Sequence, residues 1–147
     1  MLTWEVTREP ASIDASLVSD GVFSYGRSLA AEGNAQPLAC FVREEHSLIA
    51  GAIGRTEYKR LFVASLWVAQ ERRGQGLGAA VLQRLEHEAV TAGCESAMIE
   101  TLNDRVASLY ARLGYQTVAL VSGYVGPFNR HIMMKPLRSA GASSRAA

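Results

Sequence analysis

Leu61-Phe62-Val63-Ala64-Ser65-Leu66-Trp67-Val68-Ala69, followed by Gln70-Glu71-Arg72-Arg73-Gly74-Gln75-Gly76-Leu77-Gly78, is the stretch that decides how this chain folds. The first nine residues are almost continuously apolar, the mark of a central strand covered on both faces. The next nine are charged and rich in glycine. Then Leu77, Val81, Leu82, Leu85 and Ala89 line one helical face, with Gln83, Arg84, Glu86, His87 and Glu88 on the other. A buried strand, a glycine turn and an amphipathic helix in direct succession imply a sheet with helices packed on it.

Working outward, residues 38–43 and 48–57 read as strands around a Glu44-Glu45-His46 turn, after a loop at 33–37. Gly51 and Gly54 inside the second suggest a bulge or the close approach of another backbone. Residues 2–7 alternate apolar and polar like a half-buried strand. Pro10 and Ser12 open a helical stretch that Gly21 and Gly26 divide into two short helices. On the other side, Gly93 stops the helix and residues 97–102 form the next strand. Asp104 is the expected N-cap of a helix carrying Val106, Leu109, Tyr110 and Leu113 on one face, and Gly114 ends it. Strands at 115–122 and 131–135 flank a loop with Gly123, Gly126 and Pro127. The fold class is therefore mixed α/β, with helices expected on both faces of the sheet. One domain is expected over residues 1–138, with 139–147 as a flexible tail.

The chain has 147 residues, 48% of them hydrophobic, which is enough for one core and too little for two comfortable ones. Fifteen Lys+Arg against fourteen Asp+Glu leave a net charge of +1, so neither nucleic acid nor an anionic membrane is the expected partner. No apolar run reaches the ~18 residues of a spanning helix. The start, Met1-Leu2-Thr3-Trp4-Glu5, lacks a signal peptide's basic and apolar regions. Cys40 and Cys94 form neither a disulfide framework nor, with the scattered His46, His87 and His131, a metal site. A soluble, cytoplasmic protein without a metal is expected. Cys94, beside Gly93 and ahead of an apolar strand, reads as a small buried hydrophobe.

Glycines between a strand and a helix bring successive N–H groups to bear on one point, and a helix N-terminus of that kind suits phosphate. Arg72 and Arg73 add charge for a second phosphoryl group. The P-loop of nucleoside triphosphatases would need Gly-Lys-Ser/Thr, where this chain has Gly78-Ala79-Ala80. A dinucleotide fingerprint is allowed by spacing, with Ala79 in the last position. However, it should open a domain near its first strand, and here several strands come first. Simple chain reversal does not call for three glycines in five residues beside two arginines.

The segment 68–82 resembles the acyl-CoA-binding motif of the GNAT superfamily of N-acyltransferases, Arg/Gln-x-x-Gly-x-Gly/Ala, read here as Arg73-Gly74-Gln75-Gly76-Leu77-Gly78. A second motif of that family is matched by Asn103-Asp104-Arg105-Val106-Ala107-Ser108-Leu109-Tyr110-Ala111-Arg112-Leu113-Gly114-Tyr115. The resemblance implies a largely antiparallel mixed sheet and acetyl-CoA as cosubstrate. It also implies a small-molecule or peptide amine as acceptor, with a homodimer as the oligomer family members often adopt. Acetyl-CoA would lie against Leu66, Trp67, Val68, Arg72, Arg73, Gly74, Gln75, Gly76, Leu77, Gly78 and Asn103. Main-chain N–H groups of residues 66–68 would serve the oxyanion.

Acyl transfer to an amine needs a base for the ammonium, a donor for the oxyanion and an acid for the departing thiolate. Periodicity alone places Tyr110 in an apolar stripe, whereas the resemblance makes it the acid. Glu100 is the expected base, a carboxylate on an otherwise apolar strand where desolvation would raise its pKa. The competing reading is a strand-end carboxylate facing solvent or pairing with an arginine. Some relatives use a glutamate on the strand before the glycine turn, and Leu66-Trp67-Val68 offers none. A water chain, His131 and Tyr124 are further options. By the same resemblance the acceptor would meet Phe23, Tyr25, Arg27 and the 124–130 loop. The leading expectation is an acetyl-CoA-dependent N-acetyltransferase working by direct transfer in a ternary complex. Its rival is an acyl-CoA-binding module without chemistry, and a nucleotide-binding domain stands third.

Overall fold

Two-residue turns shape most of the sheet in the computed structural model, which describes residues 1–30 and 35–137. Strands β1 (Gln36–Glu44), β2 (Ser47–Glu57) and β3 (Arg60–Val68) run as an antiparallel meander. Tyr58 and Lys59 both take positive φ (51° and 57°) in the turn between β2 and β3, the geometry that keeps a tight hairpin in step with strand twist. Helix α2 (Leu77–Thr91) then carries the chain to β4 (Ser96–Thr101), which runs parallel to β3. Helix α3 (Asp104–Arg112) leads to the hairpin of β5 (Gln116–Val125) and β6 (Phe128–Pro136). The order across the six-stranded sheet is β1-β2-β3-β4-β6-β5, and only the β3–β4 pair is parallel. The mixed, largely antiparallel sheet agrees with the sequence reading.

The chain divides into two compact units, residues 1–34 and 35–147. The first holds helix α1 (Ser12–Leu29) as one continuous helix, not two. Each internal glycine costs about 1 kcal/mol relative to alanine but still supplies an N–H and a C=O to the ladder. Residues 2–7 have no regular structure, contrary to expectation. Alternation fits a chain for strand pairing, but a strand exists only where a partner accepts its backbone groups, and among the described residues no pairing includes these. The expected tail at 139–147 lies outside the described residues, as do positions 33 and 34 of the expected loop.

Leu61, Val63, Ala97, Ile99 and Met133 form one face of the sheet. Val81, Leu82, Leu85 and Ala89 of α2 and Ala107 and Tyr110 of α3 join them in a single core. Both helices thus cover the same face. The outer half of β3 differs from the expected fully covered strand, since Ala64 and Ser65 are exposed and Trp67 is 48% exposed.

Glu86, on the polar face of α2 by its helical spacing, is in fact buried. Lys135 of β6 reaches it with Nζ at 2.8 and 3.0 Å from the two carboxylate oxygens. Beside this pair lies Tyr115, 1% exposed, whose hydroxyl has no hydrogen-bond partner among the described residues. Burial, the Glu86 carboxylate and Tyr110 together push the Tyr115 pKa well above the ordinary tyrosine range. Removing Lys135 strands a buried carboxylate, so Lys135→Met should cost about 3 kcal/mol in denaturant unfolding. Adding Glu86→Leu should restore most of that loss.

Candidate active site

The site begins with a glycine that no other residue can replace. A Cβ on Gly54 would lie 2.0 Å from the carbonyl oxygen of Phe62 on the neighbouring strand. At that point the register slips: Ile53 faces Ser65 while Gly54 faces Val63, so Ala64 is an extra residue in β3. A bulge of this kind bends its strand and sharpens the local twist. The parallel pairing with β4 stops at the same place. It runs from Arg60 and Ser96 to Val63 and Ile99 and goes no further. Beyond the bulge, residues 65–68 still pair with β2, so their outward backbone groups face a gap between β3 and β4. The expected bulge is therefore present beside Gly54, where it opens the sheet, while Gly51 shows the alternative, close approach of a neighbouring backbone, since a Cβ there would lie 2.9 Å from the Cys40 carbonyl oxygen.

At the end of β3 a short 3-10 turn (Gln70–Arg72) leads into the glycine segment. Gly74 and Gly76 have φ of 76° and 81°, a left-handed backbone that costs other residues about 1–2 kcal/mol. Gly76 caps α2 without any side-chain bond, and no acidic residue occupies the first turn. The first N–H groups of α2 therefore remain available to an anion. Arg73 Nε donates to the Val68 carbonyl at 3.1 Å, tying the turn to the end of β3. Arg72 forms an ion pair with Glu44.

A cavity of about 630 Å³ joins these parts. Leu66, Trp67 and Val68 form one wall, Arg72, Arg73, Gly74, Gly76, Leu77 and Gly78 the head, and α3 the opposite wall. Tyr110 lies on that wall, 6% exposed, its ring centroid 6.0 Å from that of Tyr115. Among the described residues its hydroxyl has no hydrogen-bond partner. Burial raises its pKa, so the hydroxyl keeps its proton at neutral pH. Sequence reasoning missed Val106, Leu109 and Leu113 as cavity residues, because their helical spacing is indistinguishable from that of core positions.

Three expected residues lie elsewhere. Gln75 does not line the cavity. Asn103, not Asp104, caps α3, and its Oδ1 accepts from the N–H groups of Arg105 (2.9 Å) and Val106 (3.3 Å). Asparagine and aspartate are equivalent caps by composition, so only backbone geometry separates them. Asp104 instead meets His131 Nε2 at 2.7 Å. Glu100 is not the desolvated carboxylate expected of it. It is partly exposed and bonded through Oε2 to Arg130, whose Nε lies at 2.8 Å. That hydrogen bond raises the Arg130 pKa. Cys94 is buried, and its thiol pKa is raised by desolvation, as its hydrophobic neighbours implied. Among the described residues no cluster could hold a metal ion, and no helix is long and apolar enough to cross a membrane.

The acetyltransferase (GNAT) family matches residues 4–115, and the chain belongs to that family. Blasticidin-S acetyltransferase of Streptomyces morookaense is 33% identical over 100 residues, covering 67% of this chain and 72% of the relative. A crystal structure described as an acetyltransferase of Agrobacterium tumefaciens superposes with a TM-score of 0.87 at 23% identity, covering 92% of this chain and all of the other. A Bacillus anthracis structure described as a streptothricin acetyltransferase in complex with acetyl-coenzyme A has a TM-score of 0.62 at 11% identity, covering 69% and 63% of the two chains. The protein is an acetyltransferase of this type, and acetyl-CoA is its cosubstrate.

A Cβ at Gly76 would meet no atom within 4 Å, so conformation and not space reserves that position for glycine. Gly76→Val should lower the intrinsic melting temperature modestly and remove the rise that acetyl-CoA gives the parent by mass action. Thermal unfolding with and without acetyl-CoA reads both effects. An unchanged rise in the variant would overturn the role given to the glycine turn.

Proposed function

We propose that this acetyltransferase moves the acetyl group to a primary amine by direct attack in a ternary complex. The observation that carries the reading is the shared cavity. The anion-binding turn, the unpaired edge of β3 and a buried tyrosine with a free hydroxyl all border one space. The N–H groups at the start of α2, with Arg72 and Arg73, hold the pyrophosphate. Backbone N–H groups of residues 66–68 align the pantetheine arm and receive the developing oxyanion. Tyr110 gives its proton to the departing thiolate. The relative named for blasticidin S supports a small-molecule acceptor.

Glu100 is the base in this scheme, directly or through one water. It is the first residue of β4 past the last β3–β4 pair, which puts it where the sheet opens. Both Arg130 contacts fall on Oε2, and Oε1 has no partner among the described residues. An amine can therefore approach that oxygen without breaking the ion pair.

Tyr110→Phe keeps the ring and its packing, so the melting temperature and the acetyl-CoA-induced rise should hardly change. Turnover should fall at least about tenfold, since a general acid contributes roughly 10²–10⁴-fold. Retention of full turnover under chemistry-limited conditions would return Tyr110 to a packing role. If acetyl-CoA binds but no amine is acetylated by the parent, the chain is a binding module.

Glu100→Gln should lose most activity near neutral pH and recover part of it once the amine deprotonates unaided in alkali. The comparison to make is the shape of the two pH profiles. Curves that superimpose after scaling would remove Glu100 from the proton path.

A further inference from the structure

A second cavity, about 470 Å³, lies on the opposite face of the sheet from α2 and α3. Arg55 faces Phe62 across the β2–β3 pairing, and Phe62 faces Met98 across the β3–β4 pairing. Glu100 follows two residues along the same face of β4, and Arg130 reaches it from β6. All five line the cavity, and so does Ala64, the bulged residue at which the sheet opens. The cavity therefore adjoins the gap whose other side is the acetyl-CoA cavity.

Arg55 is held as a recognition arginine would be. Its guanidinium lies 4.4 Å from the centroid of the Phe62 ring. Its Nε meets Oε2 of Glu57 at 3.3 Å, and Glu57 is only 5% exposed. A ring beneath and a buried carboxylate behind fix the plane of the guanidinium. The terminal nitrogens have no partner among the described residues and are available to a planar anion. Arg130 differs, because its Nε and one terminal nitrogen are already spent on Glu100. The cavity thus offers one free two-pronged cation and, two strand spacings across and two residues along (about 12 Å), one free carboxylate oxygen. Between them lie Phe62 and Met98, both apolar.

We infer that the acceptor is an amine that also carries a carboxylate, with the carboxylate received by Arg55 and the amine placed at Glu100. The inference rests on the transfer reading above and specifies its substrate class. Arg55 is a specificity residue in this arrangement. Glu57 acts through it as a positioning residue.

Matched pairs of amines test this: apolar amino acids and ω-amino carboxylic acids of graded length, each beside its own carboxamide, assayed with acetyl-CoA. The carboxylate member of the best pair should have a kcat/KM higher by roughly ten- to a hundredfold, carried mainly by KM, as expected for hydrogen bonds to a charged group. Arg55→Gln should bring the ratio within a pair close to one. Arg55→Lys, which keeps the charge and loses the fork, should retain only part of it. Glu57→Gln should weaken the preference without altering the pH profile for the carboxamides. The acetyl-CoA-induced rise in melting temperature shows that each variant is folded. Acetylation of both members with equal kcat/KM would overturn the carboxylate assignment and leave the transfer reading standing. A preference that survives Arg55→Gln would also overturn it. Binding of acetyl-CoA with no acetylation of any amine would overturn the transfer reading, and this inference with it.

Discussion

The contact between Gly54 and the Phe62 carbonyl is the constraint on which the rest of the site depends. It brings β2 and β3 together more closely than any side chain would allow, and the register slips by one residue beside it. The extra residue, Ala64, turns β3 away from β4 after four paired positions. Without that turn the two strands would continue to satisfy each other's backbone groups, and nothing would remain for a substrate. The open edge is stable because β2 still holds β3 from the other side and because the core residues Val63 and Ile99 close the sheet just before it parts. The gap is made by leaving backbone groups of β3 unpaired on the β4 side and keeping their pairing with β2.

Much of this was legible in the residues themselves. Apolar alternation, the 3.6-residue period of α2 and α3, and the glycines at 74, 76, 93 and 114 mark elements whose cause is local. They reappear in the fold within a few residues of expectation. Gly51 and Gly54 even announced the close approach. What was illegible depended on partners distant in sequence. Residues 2–7 alternate correctly, yet pairing is a property of two segments and cannot be seen in one. Glu86 has the composition of a solvent-facing helix position, and only Lys135, 49 positions away, explains its burial. Glu100 lies on an apolar strand, and only Arg130, 30 positions away, shows that its carboxylate is ion-paired. The tight β2–β3 turn uses Tyr58 and Lys59 at positive φ, residue types that give no turn signal.

The site separates its charges by face. Positive groups at the glycine turn gather at one end of the helix-covered side, where Tyr110 stays protonated through burial. The paired acids and arginines of Arg55, Glu57, Glu100 and Arg130 occupy the opposite side. In the functional reading proposed above, the helix-covered face takes a polyanion with a long arm and the other face a compact molecule of mixed charge. The near-neutral net charge of the chain conceals this division, because composition sums what the sheet keeps apart.

The brevity of the β3–β4 seam has a consequence for how the protein is built. The meander of β1, β2 and β3 and the hairpin of β5 and β6 form from neighbours in sequence and close small loops. The seam has four paired positions, and the whole of α2 separates β4 from β3 in sequence. It therefore closes a larger loop for fewer hydrogen bonds than either flanking piece. The gap beside β3 depends on the shortest pairing in the sheet. Loss of activity under stress should precede loss of secondary structure.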